Sequence, residues 1–149
     1  MQAKEIMTKD VVTVSGSATI SDAVATMKAK GLRALIVEPR YHGDPYGIVT
    51  ETDVVYKVAA HGLDPKKMHV YEIMTKPCLV VNPELGAEYV ARLFANTHIR
   101  RAPVIQKGLL GIISISDILR KSDFVENPKS DFDRYCEENP GAREARIYD

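Results

Sequence analysis

Two aspartates close two copies of one pattern. Asp53 ends the run Gly47-Ile48-Val49-Thr50-Glu51-Thr52-Asp53, and Asp117 ends Gly111-Ile112-Ile113-Ser114-Ile115-Ser116-Asp117. In each copy a hydroxyl residue, Thr50 or Ser114, stands three positions before the carboxylate. An apolar strand that gives way to a helix start exposes backbone N–H groups, which favour anions. The carboxylate is a pure acceptor, and the hydroxyl both donates and accepts. An aspartate so placed can accept from both hydroxyls of a ribose, with apolar strand backbone beside it to flank a flat base. Ser116 adds a further hydroxyl in the second copy. The competing reading is helix capping, in which Thr52, Ser116 or the aspartates only satisfy the first N–H groups of a helix. Repetition in both copies favours a ligand, although duplicated caps would repeat too.

Cations come from another segment. Arg33 opens one apolar run, and Arg100 and Arg101 open its counterpart, Ile99-Arg100-Arg101-Ala102-Pro103-Val104. Fork-shaped guanidinium groups suit phosphate; the alternative is a solvated rim charge. His98 reads as a surface or cleft residue. His42, His61 and His69 have no metal-ligand spacing with one another or with a cysteine, so no metal site is expected. No nucleophile–base pair with a supporting third group and no Gly-rich phosphate loop is visible, which argues against an enzyme.

The elements that must carry these residues also repeat. Glu5-Ile6-Met7-Thr8-Lys9 returns unchanged as Glu72-Ile73-Met74-Thr75-Lys76. In the first unit, about residues 5–60, a strand over 11–14 leads to a helix. Thr19 and Asp22 are its capping box, Ile20, Ala23, Val24 and Met27 its apolar face, and Gly31 its stop. Strands over 32–37 and 48–51 follow, separated by a Pro- and Gly-containing loop, then a helix over 52–60. The second unit keeps the order: a strand over 78–81, a helix capped by Asn82 with Pro83 at its first position, strands over 102–105 and 109–114, and a helix opening at Ser116. Cys78 is expected to pack as a small apolar residue in its strand. A unit of this size has too small a core to be comfortable alone. The expected fold class is α+β: two β-α-β-β-α units related by a pseudo-twofold, with two clefts between the copies.

Bulk composition agrees. The 149 residues are 45% hydrophobic, and 20 basic side chains balance 20 acidic ones. That balance speaks against a nucleic-acid groove or an anionic-membrane surface. No apolar run approaches ~18 residues, so no membrane helix is expected. With no secretory signal pattern and only Cys78 and Cys136, the expected location is the cytoplasm.

On these motifs, EIMTK twice, GIVTETD, GIISISD and HIRRAPVI, the span from about Ala3 to Ser122 resembles a tandem pair of cystathionine-beta-synthase (CBS) domains, a Bateman module. The implied domains are residues 1–62 and 70–122, with an appended tail over 123–149. The resemblance implies binding of an adenosine nucleotide, AMP, ADP or ATP, as regulatory ligand, with no cofactor. It implies a ribose-binding role for Asp53 and Asp117 with Thr50 and Ser114 as hydroxyl partners. Arg33, Arg100 and Arg101 would face phosphate, and backbone near Val12 and Leu79 would flank the base. Such pairs associate further, so a homodimer or larger even assembly is expected. One departure is that Arg33-Ala34-Leu35-Ile36 lacks the proline found at Pro103, and the long Pro39–Pro45 loop alters the first unit's rim. That favours the site containing Asp117.

After Lys121 aliphatic residues become sparse and charges frequent, which reads as a mostly flexible tail with a short helix near 131–138. Its end resembles the small Calvin-cycle linker called CP-twelve, carried by Tyr135-Cys136-Glu137-Glu138-Asn139-Pro140 and by Glu144-Ala145-Arg146-Ile147-Tyr148-Asp149. The resemblance implies docking on phosphoribulokinase, and on glyceraldehyde-3-phosphate dehydrogenase, through Tyr135, Cys136, Glu138, Asn139, Pro140, Glu144, Arg146 and Tyr148. The family's tail closes a loop by a disulfide; here Cys136 keeps the first position and Ala145 occupies the second, so that closure is lost. The expected function is a non-enzymatic adenylate sensor whose tail silences Calvin-cycle enzymes. The alternative is a generic adenylate-binding module acting on another protein.

Overall fold

The computed structural model describes residues 1–128. The helices are α1 (Ala3–Ile6), α2 (Ile20–Lys30), α3 (Glu51–Lys57), α4 (Ala87–Thr97) and α5 (Ile115–Lys121). The strands are β1 (Thr13–Val14), β2 (Ala34–Val37), β3 (Gly47–Thr50), β4 (Arg101–Ile105) and β5 (Leu109–Ser114), and 3-10 turns cover Ala59–His61 and Val70–Glu72. Among the described residues two compact units form, one from Val11–Cys78 and one from Met1–Asp10 with residues 79–128. Each unit thus joins one repeat to the EIMTK segment that precedes the other.

In the Val11–Cys78 unit, β2 lies between β1, parallel to it, and β3, antiparallel to it, with Ala34 opposite Thr50 and Ile36 opposite Ile48. All four residues of β2 are buried, as a central strand covered on both faces requires. Thr19 caps α2 by accepting from the Asp22 N–H at 3.1 Å, which is half of the expected box, and Gly31 ends the helix in the left-handed region at φ 64°. Ile20, Ala23 and Met27 turn inward as their spacing predicts and meet Leu35, Val37 and Val49. Apart from Ala23, burial of each of these side chains stabilises by about 1.5–3 kcal/mol.

The other unit repeats this plan with two differences from expectation. No strand forms over 78–81; Val81 alone makes a parallel bridge, to Val104. The reason is Pro103. In the first repeat the Ile36 N–H donates to Val12 O at 3.3 Å, whereas the matching residue in β4 is proline, which has no N–H to offer Leu79. Second, Asn82 and Pro83 do not start the helix. The Asn82 Oδ1 accepts from the Glu84 N–H at 2.9 Å and holds a local turn, and α4 begins at Ala87 with Gly86 as its N-cap. Val90 and Phe94 are buried and Leu93 packs beside them, as expected. Cys78 is half-buried outside any strand and donates its N–H to Tyr46 O at 3.1 Å.

Each EIMTK segment bridges the edge of its sheet at a single residue, the threonine. Thr8 exchanges both backbone bonds with Ile112, at 2.8 and 2.9 Å, and Thr75 does the same with Ile48, at 3.0 and 2.9 Å. Ile6 and Ile73 anchor the segments in their units' cores. The glycines of the second motif explain why the two motifs repeat together. A Cβ on Gly111 would stand 2.7 Å from both Met7 Sδ and Thr8 O, and one on Gly47 would stand 3.2 Å from both Met74 Sδ and Thr75 O. Glycine is what admits the segment.

The loop between β2 and β3 is tied down from within its own unit. Asp44, buried, accepts from the Arg40 N–H at 2.8 Å and pairs with Lys76 Nζ at 2.6 Å. The Arg40 N–H, and then Lys76, hold its carboxyl below the usual range.

Candidate functional site

Both aspartates stand at the third position of a short helix that follows an apolar strand, and both complete a reciprocal cap. The Thr50 N–H donates to Asp53 Oδ2 at 2.9 Å, and the Asp53 N–H donates to Thr50 Oγ1 at 3.1 Å. The Ser114 N–H donates to Asp117 Oδ2 at 2.9 Å, and the Asp117 N–H to Ser114 Oγ at 3.2 Å. The capping residues are therefore Thr50 and Ser114, not Thr52 or Ser116, both of which are exposed. Capping uses Oδ2 of each carboxylate and leaves Oδ1 for other partners.

Those partners were not foreseen. Asp53 Oδ1 faces Lys57 Nζ at 3.2 Å, and Asp117 Oδ1 faces Lys121 Nζ at 2.9 Å. The signal was present as an Asp with a Lys four residues on in both copies, a spacing that brings the two onto one helix face. Each lysine also reaches its unit's EIMTK segment. Lys57 donates to Ile73 O at 2.9 Å, and Lys121 to Thr8 Oγ1 at 3.4 Å. Thr8 in turn donates to Asp117 Oδ1 at 3.3 Å. The repeated sequence motifs thus meet at the two carboxylates.

The arginines fall into register. The Glu51 N–H donates to Arg33 O at 2.9 Å, and the Ile115 N–H donates to Arg100 O at 2.9 Å. Arg33 and Arg100 are therefore equivalent, exposed, and beside the helix start that carries the aspartate. Arg101 pairs with Ser114 in the ladder, where the first repeat has Ala34 opposite Thr50, so its place has no cationic counterpart. Val12 and Leu79 each lie two residues before the residue that closes its unit's sheet edge, Val14 or Val81. Val12 is half-buried, and Leu79 is exposed.

Among the described residues no cluster of three or more His, Cys, Asp or Glu side chains could hold a metal ion. None of the described helices is long and apolar enough to cross a membrane. Tyr135, Cys136, Glu138, Asn139, Pro140, Glu144, Arg146 and Tyr148, and the helix expected over 131–138, lie outside the described residues.

Comparison with known proteins gives both motif sets a family. The CBS domain profile matches residues 3–60 and 70–123, and the CP12 domain profile matches residues 117–149. A solved hexameric CBS-CP12 protein from bloom-forming cyanobacteria is 69% identical, with 97% of this chain and 86% of that chain covered and a TM-score of 0.87. The CBS domain-containing protein YhcV of Bacillus subtilis is 33% identical over 116 residues, 77% of this chain and 81% of that protein. An uncharacterised protein of Methanopyrus kandleri, MK0525, is 28% identical over 123 residues, and the match covers 81% of this chain and 62% of that protein.

Proposed function

From the premise that this chain belongs to the CBS-domain family and ends in a CP12 domain, we propose a non-enzymatic sensor of AMP, ADP or ATP whose tail binds and restrains Calvin-cycle enzymes. The observation that carries this reading is the presence of both families on one chain, over 3–60 and 70–123 and over 117–149. In the ligand half, Asp53 and Asp117 would accept ribose hydroxyls, with Thr50, Ser114 and Ser116 beside them. Arg33, Arg100 and Arg101 would meet phosphate, and Val12 and Leu79 would flank the base. The supporting geometry is the same in each unit: an oriented carboxylate, a capped helix start and an arginine whose carbonyl completes that start. The two aspartates belong to separate copies, and both serve binding better than acid–base work.

In the tail half, Tyr135, Cys136, Glu138, Asn139, Pro140, Glu144, Arg146 and Tyr148 would contact phosphoribulokinase, with glyceraldehyde-3-phosphate dehydrogenase as a second partner. The protein would act in the cytoplasm. It would assemble as an even homo-oligomer, in line with the hexameric relative. A nucleotide can shift the tail only if it binds the docked and free states with different affinity.

The test is capture from a photosynthetic lysate by the full chain and by a chain lacking residues 131–149, each with and without AMP. The proposal expects both enzymes to be retained by the full chain alone, in amounts that change with AMP. Equal recovery by the two chains overturns tail docking. A different protein held by both chains favours the generic adenylate module.

A further inference from the structure

The two carboxylates are not equally free to accept a ligand. Asp117 Oδ2 receives the Ser114 N–H at 2.9 Å and the Ser114 Oγ at 3.1 Å, and its Oδ1 receives Thr8 Oγ1 at 3.3 Å and Lys121 Nζ at 2.9 Å. An ionised carboxylate has about four lone-pair sites, so each one on Asp117 has a donor. Asp53 carries one donor on each oxygen, the Thr50 N–H at 2.9 Å and Lys57 Nζ at 3.2 Å. Thr50 Oγ1 accepts from the Asp53 N–H at 3.1 Å without a return bond to the carboxylate. Thr75, which holds the place of Thr8, makes its backbone pair with Ile48 but sends no hydroxyl to Asp53. The second contact of each lysine does not separate the two sites: Lys57 also donates to Ile73 O at 2.9 Å, and Lys121 to Thr8 Oγ1 at 3.4 Å. The Asp53 side chain is also the more open, 16% exposed against 9% for Asp117.

We infer that Asp53 takes the first nucleotide and that Thr8 and Lys121 hold the Asp117 site in reserve. This rests on the adenylate reading above and assigns its two sites an order. A ribose brings two hydroxyl donors. Among the described residues Asp53 has two lone pairs open and can accept both, whereas Asp117 must first release two donors, Thr8 and Lys121, the two that do not cap its helix. Those two residues act as positioning residues through the carboxylate. The proline and loop differences of the sequence favoured Asp117; the donor pattern reverses that order.

The test is calorimetric titration of the full chain with AMP. The wild type should bind one equivalent tightly and a second about tenfold or more weakly, the order set by one hydrogen bond to a charged group. Asp53→Asn should weaken the tight class by at least a similar factor. Thr8→Val/Lys121→Met should bring the second equivalent close to the first, and Thr8→Ser/Lys121→Arg, which keeps the donors, should retain the wild-type gap. Two equal classes in the wild type, a tight class that survives Asp53→Asn, or a gap unchanged in Thr8→Val/Lys121→Met overturns the order while adenylate binding stands. Absence of heat from every protein overturns the adenylate reading itself.

Discussion

Replacing Gly111 by alanine tests whether the two repeated motifs are truly one structural device. The added Cβ would stand 2.7 Å from Thr8 O, a backbone atom, and 2.7 and 3.0 Å from Met7 Sδ and Cγ. Met7 can rotate, but Thr8 O is held by the bond from the Ile112 N–H at 2.9 Å. Overpacking of this kind costs about 1–3 kcal/mol. Alanine returns about 0.4–1 kcal/mol by restricting the unfolded chain. If the segment yields instead, two backbone bonds go, worth about 1 kcal/mol each. After that return, either route leaves a net loss of about 1–1.5 kcal/mol, or a fall of about 2–6 °C in Tm for a chain of this size. Gly47→Ala meets Met74 Sδ and Thr75 O at 3.2 Å and Val37 Cβ at 3.3 Å, so its loss should be smaller. Gly108→Ala meets nothing within 4 Å and should be neutral or slightly stabilising. Thermal unfolding followed by circular dichroism reads all three. A Gly111→Ala protein that melts at or above wild type, or below which Gly47→Ala melts, would refute the docking argument.

Other expectations follow from the same contacts. Thr50→Ala and Ser114→Ala each remove a cap acceptor and should cost about 1 kcal/mol in urea unfolding. Ser114→Ala should be the worse, because Ser114 Oγ also donates to Asp117. Asp44 titrates below its ordinary value of 3.8, so its bonds to the Arg40 N–H and Lys76 stabilise fully above that value and fade as pH falls through the lowered one. Asp44→Asn should therefore flatten the acid limb of the stability–pH curve below about pH 4 and leave its slope near neutrality unchanged. Burial pushes the Cys78 thiol up, so it should alkylate more slowly at pH 8 in the folded protein than after denaturation, as site-resolved mass spectrometry would record.

Much of the fold was legible because the repeat compares the sequence with itself. Strand β5 follows from an apolar run that repeats the first unit's, and the Thr19–Gly31 limits of α2 follow from cap residues. What failed was non-local. Cys78–Val81 has strand composition, but its partner's proline withholds the donor that would extend the ladder. Asn82-Pro83 has the chemistry of a helix start and spends it on a turn, since Asn side chains serve both. At the candidate site, the aspartates, Thr50, Ser114, Arg33 and Arg100 were visible by repetition, whereas Arg101 has no cationic counterpart. The choice of cap residue was not, because Thr50 and Thr52, or Ser114 and Ser116, are alike as hydroxyls and only strand register separates them. Thr8 was invisible as a partner of Asp117, since nothing local links residues so far apart in sequence. Lys57 and Lys121 were legible and overlooked.

The proposed function stands on binding of an adenosine nucleotide through the repeated aspartates. Equilibrium dialysis of the full chain against labelled AMP tests it most directly, with unlabelled ADP and ATP as competitors and Asp53→Asn as the paired variant. Saturable retention of AMP, displaced by at least one competitor and weakened by the substitution, is the predicted result. A folded, ligand-free protein that retains no AMP, ADP or ATP at millimolar concentration would contradict it.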